Sequence, residues 1–180
     1  MTTSIDLLQL VYDAILQANT AAGTNVYKPG DWPTQDGQYP IIKLRLVHEQ
    51  RTSLGRGGAI QFTSVATVRI SAEVSGLATV DDAGAMAVEG AVWALKREIE
   101  VAVVNSSPLT QSIQNIPTMT SQLAFNSDAA THVAGVQIDL SLEFYEGPEN
   151  FAPVASDDLT EVTIANPNLP PTGLSVDLPT

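Results

Sequence analysis

Hydrophobic and polar positions alternate with period two in two neighbouring stretches of the chain. Ile42, Leu44 and Leu46 alternate with Lys43 and Arg45; Ala66, Val68, Ile70, Ala72 and Val74 alternate with Thr67, Arg69, Ser71 and Glu73. Successive side chains of a strand point to opposite faces, so each run predicts a half-buried antiparallel strand. Between them, QRTSLGRGGAIQ carries Gly55, Gly57 and Gly58, which oppose a tightly packed turn and predict a mobile projection. Residues 41–74 thus read as one long hairpin. The clearest alternation is in 133–145, where Val136, Ile138, Leu140, Leu142 and Phe144 interleave with Gln137, Asp139, Ser141, Glu143 and Tyr145. Such a strand has one face on a core and belongs near the centre of its sheet, where a long register is best fixed.

Elsewhere the period changes to that of a helix. In residues 4–21, Ile5, Leu8, Tyr12 and Ile15 form a stripe that Val11 and Leu16 widen; Thr3 or Ser4 is the N-cap, Asp6 suits the positive end of the dipole, and Gly23 ends the helix. A second helix is expected over about 80–104. Val88, Val92, Leu95, Ile99 and Ala102 supply its buried stripe, Thr79 and Asp82 a capping box, and Asp81 a further dipole contribution. Met86, Gly90 and Trp93 make a second row about a quarter-turn away. Trp93 reads as core, or as part of a row that accepts a neighbouring subunit. NVYK (25–28) is a short strand candidate cut by Pro29-Gly30, and LTQSIQNI (109–116) and MTSQLAFN (119–126) are weaker ones around Pro117. The fold class is therefore α+β, an α/β sandwich: a mostly antiparallel sheet with a long hairpin, two main helices packed on it, and an extended C-terminal arm.

The arm begins where the composition shifts, after Gly147-Pro148, giving a domain over 1–148 and an appendage over 149–180. Residues 151–180 contain no Lys or Arg, four acids and five of the eleven prolines, too little to close a core alone. Leu159, Val162 and Ile164 within it are apolar enough to seek a docking surface.

Charge sharpens the picture. The chain carries −12, yet residues 43–69 hold five of its eight basic residues (Lys43, Arg45, Arg51, Arg56, Arg69) against the single acid Glu49. That stretch is +4 and the remainder −16, a basic arm on an acidic body that suggests contact with another macromolecule. These arginines either solvate a strand face or reach a partner. Trp32, among the turn formers of DWPTQDGQYP, either packs back on its own subunit or anchors an interface. An acidic surface opposes non-specific duplex binding.

Catalytic patterns are sparse. With no cysteine, disulfides, thiolate metal sites and a cysteine nucleophile are excluded. His48 and His132 belong to no HExxH motif or paired-histidine helix and read as strand-end surface residues. GRGG lacks P-loop spacing, GxSxG is missing, and Asp81-Asp82 is explained by a helix start. No catalytic, metal or cofactor-binding residues are assigned, and no enzyme activity is expected. The N-terminus lacks the basic residues of a secretory signal, and no stretch reaches about 18 apolar residues, so neither export nor a membrane span is expected.

The order of elements, with NVY (25–27), YPIIKLRL (39–46), AVWALKREIE (91–100) and GVQIDLSLEFYE (135–146), resembles the tail terminator (tail completion) proteins of long-tailed bacteriophages over about residues 4–147. The resemblance implies a structural virion protein, made in the host cytoplasm, that assembles as a hexameric ring, caps the tail tube and joins it to the head-proximal neck. Its implied partners are copies of itself, the tail tube protein, the neck or connector protein and, through the arm, the tail sheath. DNA would pass through the ring without specific binding. The candidate interface residues are Trp32, Arg45, Arg51, Arg56, Arg69, Leu159, Val162 and Ile164. Two other readings stay open: another neck component such as a head-completion protein, and a small-ligand-binding α/β module.

Overall fold

The alternating runs assemble into one five-stranded sheet. Its strands are β1 (Val26–Tyr27), β2 (Ile41–Ser53), β3 (Phe62–Leu77), β4 (Asn115–Asp128) and β5 (Thr131–Glu146), in the order β1-β2-β3-β5-β4. β1 runs parallel to β2 and every other pair is antiparallel. Helices α1 (Ser4–Gln17), α2 (Ala83–Val104) and α3 (Ser107–Ser112) pack on one face, so the fold is α+β. The computed structural model describes residues 2–29, 32–35, 37–55, 58–77, 82–128, 131–152, 161–164 and 174–177. They fall into two compact units, Met1–Asn150 and Phe151–Thr180.

Period-two alternation determines which strand positions meet the helices. Ala66, Val68, Ile70, Ala72 and Val74 of β3 and Val136, Ile138, Leu140, Leu142 and Phe144 of β5 are all buried, while their alternates line the open face. The helices close this core with Leu7, Val11 and Ile15 of α1, Val88, Val92, Leu95, Ile99 and Val103 of α2, and Leu109 of α3. Each aliphatic side chain so buried contributes roughly 1.5–3 kcal/mol before ordering costs. α2 lies close on the end of β3: a Cβ at Gly76 would stand 2.5 Å from Val88 Cγ2, so a larger residue there has no room.

Several expectations are corrected in detail. α1 buries Leu7, Val11, Ala14 and Ile15, whereas Ile5 is 73% exposed and Leu16 36% exposed. Apolar residues cover more than half of this helix's circumference, so spacing alone does not say which side meets the sheet. Thr3 is the N-cap and forms a capping box with Asp6. The helix stops at Gln17, well before Gly23, because Asn19 takes the left-handed conformation at φ 48°. At α2, Asp82 is itself the N-cap and makes no side-chain capping bond, while Thr79 and Asp81 lie outside the described residues. Its core side ends on Val103 instead of Ala102, which is half-buried.

Residues 109–112 are helical, not extended. Ser106 caps α3, Pro108 sits in its first turn, and the fully buried Leu109 anchors it. β4 begins at Asn115 and runs past Pro117, with an irregularity between Asn115 and Thr118, as an edge strand permits. β1 joins β2 in parallel through residues 28–40, a crossover of the length that parallel pairing demands.

The second unit contains an antiparallel hairpin of β6 (Glu161–Ile164) and β7 (Leu174–Asp177). Every core residue of the first unit lies at or before Phe144. A chain ending at Asn150 is therefore expected to unfold cooperatively on heating, with the helix and strand content of the first unit measured by circular dichroism. Loss of the cooperative transition would mean that the second unit belongs to the core.

Candidate assembly surfaces

A bulge in β2 separates the basic residues of the hairpin onto two faces. Leu46 pairs with Val68 and His48 with Thr67, leaving Val47 as the extra residue. One inserted residue reverses the alternation. Before the bulge, Lys43 and Arg45 point to the open face; after it, Glu49 and Arg51 stand opposite Ala66 and Ser64 on the helix side. His48 is likewise an exposed position inside β2, not at a strand end.

On the helix side, Arg51 closes a polar clasp at the end of the sheet. Its Nε donates to Glu146 Oε2 at 2.7 Å, its Nη2 donates to Oε1 at 3.3 Å, and Glu49 is a second carboxylate partner. Ser64 Oγ donates to Glu146, and Ser4 Oγ donates to Glu49 at 2.6 Å, which ties the start of α1 to β2. Burial pushes the Glu146 carboxyl up, but the Arg51 and Ser64 hydrogen bonds and the Arg51 charge outweigh it and hold the group below its ordinary value.

The open face carries a different arrangement. Arg45, Arg69 and Asp139 occupy one rung across β2, β3 and β5, and Arg69 is held by Asp139 through bonds of 2.8 and 2.9 Å. The Arg69 hydrogen bonds, with the charge behind them, keep the Asp139 carboxyl below the usual range. Lys43 pins the 28–40 crossover onto this face. Its Nζ donates to Trp32 O at 2.9 Å and to Thr34 Oγ1 at 2.6 Å, and lies 4.9 Å from the Trp32 ring centroid. Tyr27 meets the same indole edge-on at 5.1 Å. Trp32 is thus half-buried against its own subunit.

Among the described residues of the first unit, large apolar side chains are exposed at Ile5, Leu77 and Phe125 and on two further surfaces. α2 is 22 residues long, and its outward side mixes exposed apolar residues with the exposed Arg97. Met86 is 70% exposed and Trp93 48%, with Val101, Val104 and several alanines also exposed around them. An outward Gly90 sits mid-helix with nothing within 4 Å of where its Cβ would be. Glycine there costs roughly 1 kcal/mol relative to alanine, and no contact inside the subunit requires it. The other surface is the hairpin tip, where Leu54 and Ile60 are exposed. The tip is shorter than expected, because β5 flanks β3 as far as the pair Phe62–Glu146 and only residues 54–61 extend beyond the strands.

Neither known protein families nor curated proteins give a match to this sequence. No helix among the described residues is long and apolar enough to cross a membrane. Among the same residues, no three His, Asp or Glu side chains gather to hold a metal ion.

The candidate residues do not form a single site. Arg45 and Arg69 share a rung with Asp139, Trp32 joins Lys43 and Tyr27, and Arg51 lies on the opposite face. Arg56 and Leu159 lie outside the described residues. Val162 and Ile164 lie in β6, opposite Val176 and Leu174. The Glu146 clasp escaped the sequence because it depends on the bulge. The exposed apolar residues on the outward side of α2 were legible in its second row, Met86, Gly90 and Trp93.

Because the folded-state pKa of Glu146 is depressed, its stabilisation is complete above its ordinary value of 4.5 and is lost as pH falls through the lower folded value. Glu146→Gln is expected to lower stability at neutral pH by roughly 1–3 kcal/mol, the cost of unpairing a buried hydrogen-bonded group. It should also make the acid limb of a stability–pH curve, followed by urea denaturation, shallower than wild type. An unchanged acid limb would remove Glu146 from this role.

Proposed function

We propose that this chain is a ring-forming structural subunit of a phage tail, a tail terminator that caps the tail tube and joins it to the neck. The observation that carries the reading is α2, whose core side completes the fold while its outward side leaves Met86, Trp93, Val101 and Val104 in solvent. Exposed apolar side chains gathered on one side of a helix, here Met86 and Trp93 before Arg97 and Val101 and Val104 after it, are a mark of interaction sites. The reading is also supported by the order of elements, which is the order on which the sequence resemblance rests except that α3 and a single strand, β4, stand where two weak strands were expected.

The electrostatics suit the role. A net charge of −12 disfavours adhesion to DNA passing through a conduit. Arg51 and Arg69 are already engaged with carboxylates of the same chain, so the sheet carries its basic residues as internal struts. The work assigned to this subunit is mechanical: a stiff sheet, closed on one face by helices, meets copies of itself through apolar surface. In this reading the unit over 151–180 contacts a neighbouring copy or the tail sheath.

Mass photometry of the full chain at micromolar concentration is expected to show a closed ring, six subunits being the stoichiometry the resemblance implies. A strictly monomeric protein that is also present as a single copy in the particle would contradict the proposal. A monomer that binds a nucleotide or another small ligand would favour the binding-module reading instead.

A further inference from the structure

We infer that β4 is a self-association edge, pairing antiparallel with β4 of a second copy about a two-fold axis and joining two five-stranded sheets into one. β4 is the last strand of its sheet, with β5 on one side and no strand among the described residues on the other. Its register with β5 runs unbroken from Thr118 to Asp128. Alternate residues of that stretch aim N–H and C=O away from β5, leaving roughly ten hydrogen-bonding groups that another strand can satisfy in series.

The two edges of the sheet are built differently. On one side, β1 covers only Ile42 and Lys43, and the rest of β2 is guarded by the bulge at Val47 and by Arg45, Glu49 and Arg51. Bulges and charges are the devices that keep an edge from pairing. β4 has neither between Thr118 and Asn126. From Asn115 to Asn126 it contains no Asp, Glu, Lys or Arg, whereas β2, β3 and β5 all carry charged residues. Pro117 confines the open edge to the stretch after it.

A second copy is the occupant these residues suit. Like charges standing opposite each other destabilise a strand paired with itself, and this stretch has no charge to repeat. Paired with the buried Leu140, Ile138, Val136 and Ala134 of β5, the residues Met119, Ser121, Leu123 and Phe125 lie on the helix side. Thr120, Gln122 and Ala124 lie on the open face. A two-fold axis through Gln122 preserves both faces. It sets Ser121 against Leu123 of the copy, Thr120 against Ala124, and Met119 against Phe125. Phe125, 59% exposed in one subunit, is thereby covered by a thioether, a favourable partner for an aromatic ring. This contact closes at two subunits, so it stands apart from the ring reading, which needs heterologous surfaces.

The chain has no cysteine, so single-cysteine variants of the full chain report the contact directly. Gln111, Thr120, Gln122 and Ala124 are all exposed, so replacing any of them leaves the core intact. In Gln122→Cys the new thiol faces its own copy at a Cα separation of about 4.5–5.5 Å, within disulfide reach. Mild oxidation should convert most of this variant to covalent dimer. Thr120→Cys and Ala124→Cys, each roughly 13 Å along the strand from its own copy, should stay uncoupled alone and cross-link when mixed. Gln111→Cys, on α3, is the control and should not cross-link. In sedimentation velocity, added salt should strengthen the wild-type dimer by screening the repulsion between two chains of net −12. Failure of Gln122→Cys or of the mixture to cross-link beyond the Gln111→Cys control would overturn the inference, as would a dimer that salt dissolves. Gln122→Cys that stays uncoupled while β4 amides are protected at every dilution would mean that β4 is covered within its own chain, and would also overturn it. Wild-type rings without this cross-link would leave the ring reading standing, and a covalent dimer in a chain that forms no rings would fail that reading alone.

Discussion

The ladder between β3 and β5, unbroken from Phe62–Glu146 to Leu77–Thr131, is the constraint from which the remaining geometry follows. A slip of one residue would turn Val68, Ile70, Leu140 and Leu142 to solvent together, so burial on one face enforces the register. That register brings Asp139 beside Arg69 and delivers Glu146 to the place where Ser64 and Arg51 can hold it. It also stiffens the hairpin. β3 has a partner on both sides from Phe62 to Glu73 and β5 alone from Val74 to Leu77.

β2 depends on the same ladder but departs from it once. The bulge at Val47 turns Glu49 and Arg51 toward the helices, where Ser4 at the start of α1 meets Glu49. A local backbone irregularity thus converts part of a basic strand face into an internal clasp. On the open face, Lys43 does comparable work for the 28–40 crossover by holding Trp32 O and Thr34. The hairpin's positive charge, which stood out against an acidic chain, is largely spent inside the subunit.

How much of this could be read from residues alone varies by element. The period-two runs gave β2, β3 and β5 their faces correctly, since alternation is a direct consequence of strand geometry. The core side of α2 was legible for the same reason at helical spacing, from Val88 to Ile99. What failed depended on context. α1 is apolar over too much of its circumference for spacing to select Leu7 over Ile5. Residues 109–112 have no strong period, and the helix there follows from Ser106, Pro108 and the burial of Leu109. The bulge leaves no mark in the pattern, so Arg51 was grouped with Arg45 and Arg69 although it faces the other way. Trp32 admitted two readings, and its contacts with Lys43 and Tyr27 place the indole on its own subunit.

The central proposal is a rigid ladder whose exposed apolar side chains are covered by another copy. Hydrogen–deuterium exchange across a dilution series of the full chain tests it directly. Peptides from Phe62–Leu77 and Thr131–Glu146 should exchange slowly at every concentration. The edge amides of β4, beside the exposed Phe125, should exchange fast in dilute protein and slow down as concentration rises. Edge exchange that ignores concentration, or ladder amides that exchange as fast as the edge, would contradict the account.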